Sequence, residues 1–225
     1  MNRLNIRAFA GMLQLLVVMA AIIFLPAWTL DYWQAWVLVV VFFACTLAVT
    51  LYLMKNDPKL LERRVKAGVG AEQERSQNII QAIAACAFIA IFIVSVLDHR
   101  FAWSTVPPLV SVLGDILVAL GFYFVFLVFK ENTFASGTIE VGAGQRVVAS
   151  GPYALVRHPM YIGALVMLAG VPLALGSLWG LLALIPMTLV LIARLLDEEK
   201  FLARNLAGYS DYQKKVRHHL IPLIW

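Results

Sequence analysis

Two short runs in this sequence carry side chains able to hold charged or hydrogen-bonding groups. The first is Tyr153, Arg157, His158 and Tyr161; the second, about forty residues later, is Arg194, Asp197, Glu198 and Glu199. An arginine there can orient an anion as a fixed cation, and a carboxylate can accept hydrogen bonds from amino or hydroxyl groups or offset a positive charge. Arg194 and Glu198 are i and i+4, so on a helix they share one face. Taken alone, that spacing fits an ordinary ion pair at a helix exit equally well. His158-Pro159 has its own backbone logic: Pro159 restricts His158 to extended geometry and suits the first position of a helix. A helix starting there leaves N–H groups free and a positive dipole end near the site. The plainer reading makes His158 a hydrogen-bonded helix-start residue.

The stretch between the two runs must position them. Residues 160–193 contain no charged residue and no His. As one helix they would extend about 51 Å, against a hydrocarbon core of about 30 Å. Pro172, Gly176, Ser177 and Gly180 sit near the middle and predict a tight hairpin of two short spans. The start of one and the end of the other then emerge side by side, making one pocket from both runs.

The rest of the chain has the same character. Of 225 residues, 62% are hydrophobic and 14% charged, against roughly 25% charged in soluble domains. Residues 8–30, 32–54 and 76–97 lack Asp, Glu, Lys and Arg, and each run exceeds the roughly 20 residues a crossing needs. These features exclude a soluble enzyme, a disordered chain and a disulfide scaffold. Nucleic acid is not an expected partner despite the net charge of +5, because basic residues in such a chain mark cytoplasmic flanks. The expected fold is an all-α, polytopic membrane helix bundle with about six spans: 8–25, 33–54, 79–97, 107–129 and the two halves of 160–193. Asp115 lies near the outer end of the fourth. A cytoplasmic N-terminus puts 17 of the 18 Lys and Arg residues on the inner segments 1–7, 55–78, 130–159 and 194–225, leaving only Arg100 outside. Both termini are therefore expected to be cytoplasmic. Residues 1–27 read as a first transmembrane helix, since their charge-free run is long for a signal peptide.

Two inner segments are longer than connection requires. In 55–78, Leu60, Leu61 and Val65 form an apolar face, as in a helix lying on the membrane surface. Segment 130–159 is polar and broken by Gly and Pro; loops of that length are usually functional or disordered. Cys45 and Cys86 read as small apolar packing residues. His218-His219 reads as part of a solvated basic tail, and no metal site is expected. Gly142-Ala143-Gly144 is no dinucleotide fingerprint, lacking a third Gly and a strand–helix setting. The GxxxG at 176–180 falls in the predicted turn, so it is not read as a dimer interface.

In order along the chain stand Asn132-Thr133-Phe134, Gly151-Pro152-Tyr153, Arg157-His158-Pro159-Met160-Tyr161-Ile162-Gly163, Glu198-Glu199 with Leu202, Tyr209, Tyr212 and Ile221-Pro222. This combination resembles the isoprenylcysteine carboxyl methyltransferase family, related to membrane phospholipid methyltransferases, over about residues 115–225. The resemblance implies S-adenosylmethionine as methyl donor, bound without a Rossmann domain. It implies cofactor contacts at Gln145, Arg146, Val147, Val148, Tyr153, His158, Pro159, Met160, Tyr161 and Glu198, with Glu140 as a looser match. It implies that Arg194 binds the acceptor substrate, and Arg194 and Glu198 are taken as the catalytic pair. The chain then divides into 1–106, N-terminal helices with a cytoplasmic loop, and 107–225, the methyltransferase core. The expected partner is a lipophilic acceptor reached from the bilayer, such as a prenylated cysteine carboxylate. Two other readings stay open: a sterol-reductase-like membrane enzyme using NADPH, which also carries a His-Pro-x-Tyr-like element, and a non-enzymatic membrane protein that kept the fold.

Overall fold

The computed structural model describes residues 3–66, 70, 72, 74–222 and 225. Among them the regular structure is all helical. The helices are α1 (Arg3–Ala27), α2 (Trp33–Asn56), α3 (Pro58–Val65), α4 (Arg75–Phe101), α5 (Pro108–Glu131), α6 (Pro159–Ala174), α7 (Leu184–Asn205) and α8 (Tyr209–Lys215). Short 3-10 turns cover Gly151–Ala154 and Trp179–Ala183. Helices α1, α2, α4 and α5, and the segment Trp179–Asn205, are each long and apolar enough to cross a membrane; α6 is shorter, at 16 residues. The polytopic bundle is thus the one its hydropathy predicts. Its flanks carry large exposed apolar side chains, among them Leu13, Val17, Val40, Leu109, Ile185 and Leu189. On a chain with these helices, such a surface faces lipid.

The predicted hairpin of two short spans is half right. The turn falls at Leu175–Leu178, but only α6 is short, and the partner runs 27 residues from Trp179 to Asn205. Glycine sets where α6 lies. A Cβ at Gly114 of α5 would sit 2.2 Å from the Ala174 nitrogen, and one at Gly170 would sit 2.6 Å from the Gly114 oxygen. Gly121 and Gly163 repeat the arrangement, with 2.6 Å to Met167 and 2.8 Å to Val125. Small residues let two backbones meet where lipid gives no hydrophobic drive for association. They also align the start of α6 with the end of α5. Gly180 does the same against α4, where an added Cβ would meet the Ser95 hydroxyl at 2.1 Å.

The end of the bundle away from the charged runs is pinned by polar contacts. Asp98 accepts hydrogen bonds from the Ser177 hydroxyl (2.6 Å), the Ser104 hydroxyl (2.6 Å) and the Ser104 amide (2.7 Å), tying α4 to the α6–α7 turn. Tyr32 donates to the Leu175 carbonyl and stacks on His99. Arg100, the one cation outside the basic segments, donates to the Pro26 carbonyl and lies over Trp28. Exposed Trp28, Trp33, Trp36, Trp103 and Trp179 ring this end, as interfacial aromatics do. Cys45 is partly buried, whereas Cys86 is exposed on α4 rather than packed inside.

Candidate active site

At the opposite end the chain builds a cavity of about 370 Å³. Each wall has a local cause. Pro159 starts α6, so Met160 and Tyr161 project from its first turn. The helix α7 ends in a charged stretch whose i to i+4 spacing puts Glu198 and Leu202 on the cavity side. Residues 132–150 form no helix and cross over the opening; the Asn132 side chain braces their start by accepting from the Phe134 amide at 2.9 Å and donating to the Tyr153 hydroxyl at 2.9 Å. Gly144 turns this loop at φ +72°, and Gln145 accepts from the Gly142 amide across the same turn.

All ten residues expected to contact a cofactor line this cavity: Gln145, Arg146, Val147, Val148, Tyr153, His158, Pro159, Met160, Tyr161 and Glu198. Glu140, the looser match, lines it too and accepts from Ser136 at 3.1 Å. The Tyr161 hydroxyl donates to Glu198 at 2.7 Å, one of the bonds that join the two charged runs. Burial pushes the Tyr153 hydroxyl up to about 12; the Asn132 bond opposes that shift and the Glu198 charge adds to it. The wall also holds aromatic and apolar faces from Phe134, Leu202, Tyr209 and Tyr212.

The other charged residues divide between the cavity and the packing around it. Arg194 is buried and already engaged: it donates to Glu72 (2.6 Å), Gln81 (2.7 Å) and the Gly137 carbonyl (3.1 Å). No Arg194–Glu198 ion pair forms among the described residues. His158 borders the cavity but turns its Nε2 to Glu199 at 2.9 Å. His219 is not a solvated tail residue. It stacks on Trp225 and meets both Arg157 (2.6 Å) and Glu199 (3.2 Å). Asp197 is not part of the lining.

Sequence reasoning also missed working parts. Glu199 is the hub of the end cap, binding Arg157 through Nε (2.6 Å) and Nη2 (3.3 Å) besides His158, His219 and Gln213. Arg157 in turn donates to the Val216 and Arg217 carbonyls, and the 157 and 158 amides donate to the 218 and 219 carbonyls. The tail is thereby strapped across the start of α6. Helix α3 is more than a membrane-surface helix. Leu60 and Leu61 are buried against Phe129 and Ala135, Arg63 donates to the Thr133 carbonyl (2.8 Å), and Arg64 to the Ser136 carbonyl (3.1 Å). Tyr209 lines the cavity with its hydroxyl buried and without a hydrogen-bond partner among the described residues. The basic i, i+1 pair on an apolar-faced helix was the available signal for α3; nothing in the sequence marked Tyr209 as unpartnered. Among the described residues no cluster of His, Cys, Asp or Glu has the geometry of a metal site.

Fold and site together define a class: a helical membrane protein with a polar cavity at one end of the bundle, roofed by a loop and walled by the ends of two helices. Residues 109–208, just under half of the chain, match the phospholipid methyltransferase family. A membrane methyltransferase is the activity that this family implies. The chain is also 30% identical over 91 residues to Delta(14)-sterol reductase of Mus musculus, an alignment covering 39% of this chain and 22% of that protein. It thus spans only about a fifth of that relative's length.

Proposed function

We propose that this protein is an S-adenosylmethionine-dependent methyltransferase that modifies a lipophilic acceptor, most simply a carboxylate such as that of a prenylated cysteine. The observation that carries this reading is the cavity: one chamber, lined mostly from the family-matched segment and bordered by every residue the resemblance gives to the cofactor. Its volume suits a cofactor-sized ligand. Its chemistry suits this one, offering aromatic faces for a base, carboxylates at Glu140 and Glu198 for amino or hydroxyl groups, and an unsatisfied Tyr209 hydroxyl.

When bound, S-adenosylmethionine supplies a methyl already activated on a cationic sulfur. The protein then needs alignment and water exclusion more than a strong base. Glu198 places a carboxyl group on the wall, held in position by Tyr161. The 132–150 loop closes the chamber, pinned by Arg63, Arg64 and by Glu72, which accepts from the Ile139 amide at 2.8 Å. An acceptor carboxylate is a nucleophile as it stands, so no proton moves; its charge is lost as the ester forms. Arg194 serves this site by holding Glu72, Gln81 and the loop in register, and any direct grip on the acceptor requires it to release one of them. In the proposed orientation both termini and the cavity face the cytoplasm, where the polar cofactor is found.

The likeness to a sterol reductase supports a second reading, a nicotinamide-using reductase. Titration of the detergent-purified protein with S-adenosylhomocysteine separates the two. Saturable binding that disappears in Glu198→Gln is the expected result. A folded sample that ignores S-adenosylhomocysteine but binds NADPH would reverse the assignment.

A further inference from the structure

The cations around the cavity differ in how they are satisfied. Arg157 is bound by Glu199, Arg194 by Glu72, and Arg146 stands exposed on the loop. Arg64 is half-buried, lines the cavity, and has no carboxylate partner among the described residues. Its Nη1 donates to the Ser136 carbonyl at 3.1 Å and approaches the Met160 sulfur at 3.9 Å, and the guanidinium lies 5.1 Å from the centre of the Phe129 ring. A guanidinium has five N–H donors in a planar fork that fits a carboxylate, and these contacts leave Nε and Nη2 without an acceptor among the described residues. Burial, and then the neighbouring Arg194 charge, push its pKa below the usual arginine value. A buried cation without a counter-charge is costly, and an anionic ligand removes that cost.

We infer that Arg64, supplied by α3 from outside the family-matched segment, is the residue that binds a ligand carboxylate in this cavity. The inference rests on the methyltransferase reading, in which two carboxylates reach the chamber: that of the cofactor's amino-acid end and that of the acceptor. Both present the same chemistry to a guanidinium. Arg64 faces the α6 start through Met160, whereas the carboxylates Glu140 and Glu198 line the same chamber and suit the cofactor's amino and hydroxyl groups.

The test compares the wild type with Arg64→Gln and Arg64→Lys, and uses Arg63→Gln as the control. Arg63 also tethers the loop, through the Thr133 carbonyl, but does not line the cavity. The first arm measures the affinity of S-adenosylhomocysteine against its decarboxylated analogue. The second, with S-adenosylhomocysteine saturating, measures N-acetyl-S-farnesylcysteine against its carboxamide. A lost charge-assisted pair should weaken the carboxylate ligand by on the order of 10- to 100-fold in Arg64→Gln, leave the analogue without the carboxylate unchanged, and recover in part in Arg64→Lys. Loss in the first arm assigns Arg64 to the cofactor, and loss in the second assigns it to the acceptor. If Arg64→Gln binds every ligand as the wild type does, or Arg63→Gln loses the same discrimination, the inference is overturned while the cofactor reading stands. If the wild type binds no S-adenosylhomocysteine, both fall together.

Discussion

Two adjacent carboxylates at the end of α7 lead opposite lives. Glu199 is buried and saturated, held by Arg157, His158, His219 and Gln213. Glu198, one residue earlier and about 100° around the helix, receives one hydrogen bond, from Tyr161, and otherwise borders the cavity. One residue fastens the C-terminal tail to the bundle; the other is left with capacity for a ligand. The difference teaches that polarity near a membrane span end does not by itself mark a ligand-binding group. A carboxylate whose lone pairs are all taken by protein donors has little left to give, whereas one with a single donor does.

The largest effect should come from breaking the saturated side. Glu199→Ala strands the Arg157 guanidinium in a buried setting, and removing one partner of a buried pair typically costs about 3–5 kcal/mol. We expect a lower melting temperature in detergent, and proteolysis that begins at the tail. A variant that melts with the wild type would mean that the tail is held by something other than this network. Glu198→Gln should do the reverse. It keeps the wall's shape and leaves the melting temperature of the unliganded protein nearly unchanged. Affinity for S-adenosylhomocysteine should fall by on the order of 10- to 100-fold, the range for a hydrogen bond to a charged group. If the two variants shift the same observable, the division between them is wrong.

How much of this was legible in the sequence follows from which interactions are local. The spans were, because hydropathy over 20 residues needs no partner. The hairpin turn was, because Pro172 and Gly176 act on their own backbone. The close seating of α6 on α5 was not, since it depends on Gly163 and Gly170 meeting Gly121 and Gly114. The seven-residue spacing of both pairs was readable, but not that they meet. The cavity residues came from resemblance, and the geometry groups them. Arg194 and His219 were misjudged because their partners lie far away in sequence: Glu72 is 122 positions from Arg194, and Arg157 is 62 from His219. Spacing on a helix tells which residues share a face and nothing about who waits opposite.

A smaller effect separates a wall residue that binds from one that only packs. The Tyr209 hydroxyl is buried and unpartnered, and burial holds its pKa well above the usual tyrosine value, with help from Glu199 and Glu198. Tyr209→Phe should leave the unliganded protein as stable or slightly more so, since it removes an unmet buried donor. It should weaken S-adenosylhomocysteine by roughly 2- to 10-fold, the worth of one neutral hydrogen bond. Unchanged affinity would make Tyr209 part of the apolar wall.

The gentlest probe is pH, acting on the saturated side alone. His219 has its pKa lowered from the ordinary 6.5, mainly by burial, with the Arg157 and His158 charges adding to burial and the Glu199 charge opposing it. In the folded protein this imidazole therefore resists a proton that the unfolded chain accepts near pH 6.5. Between the lowered value and 6.5 the unfolded state binds more protons, so stability rises with pH across that interval and falls on acidification. The melting temperature should drop as pH is lowered from 7 to 5, and the drop should be shallower in His219→Gln. S-adenosylhomocysteine affinity should change less than stability over the same interval, because His219 does not itself line the cavity and reaches its wall only through Arg157 and His158. An equally steep pH dependence in His219→Gln would transfer the titration to another group and leave the tail strap without its pH sensitivity.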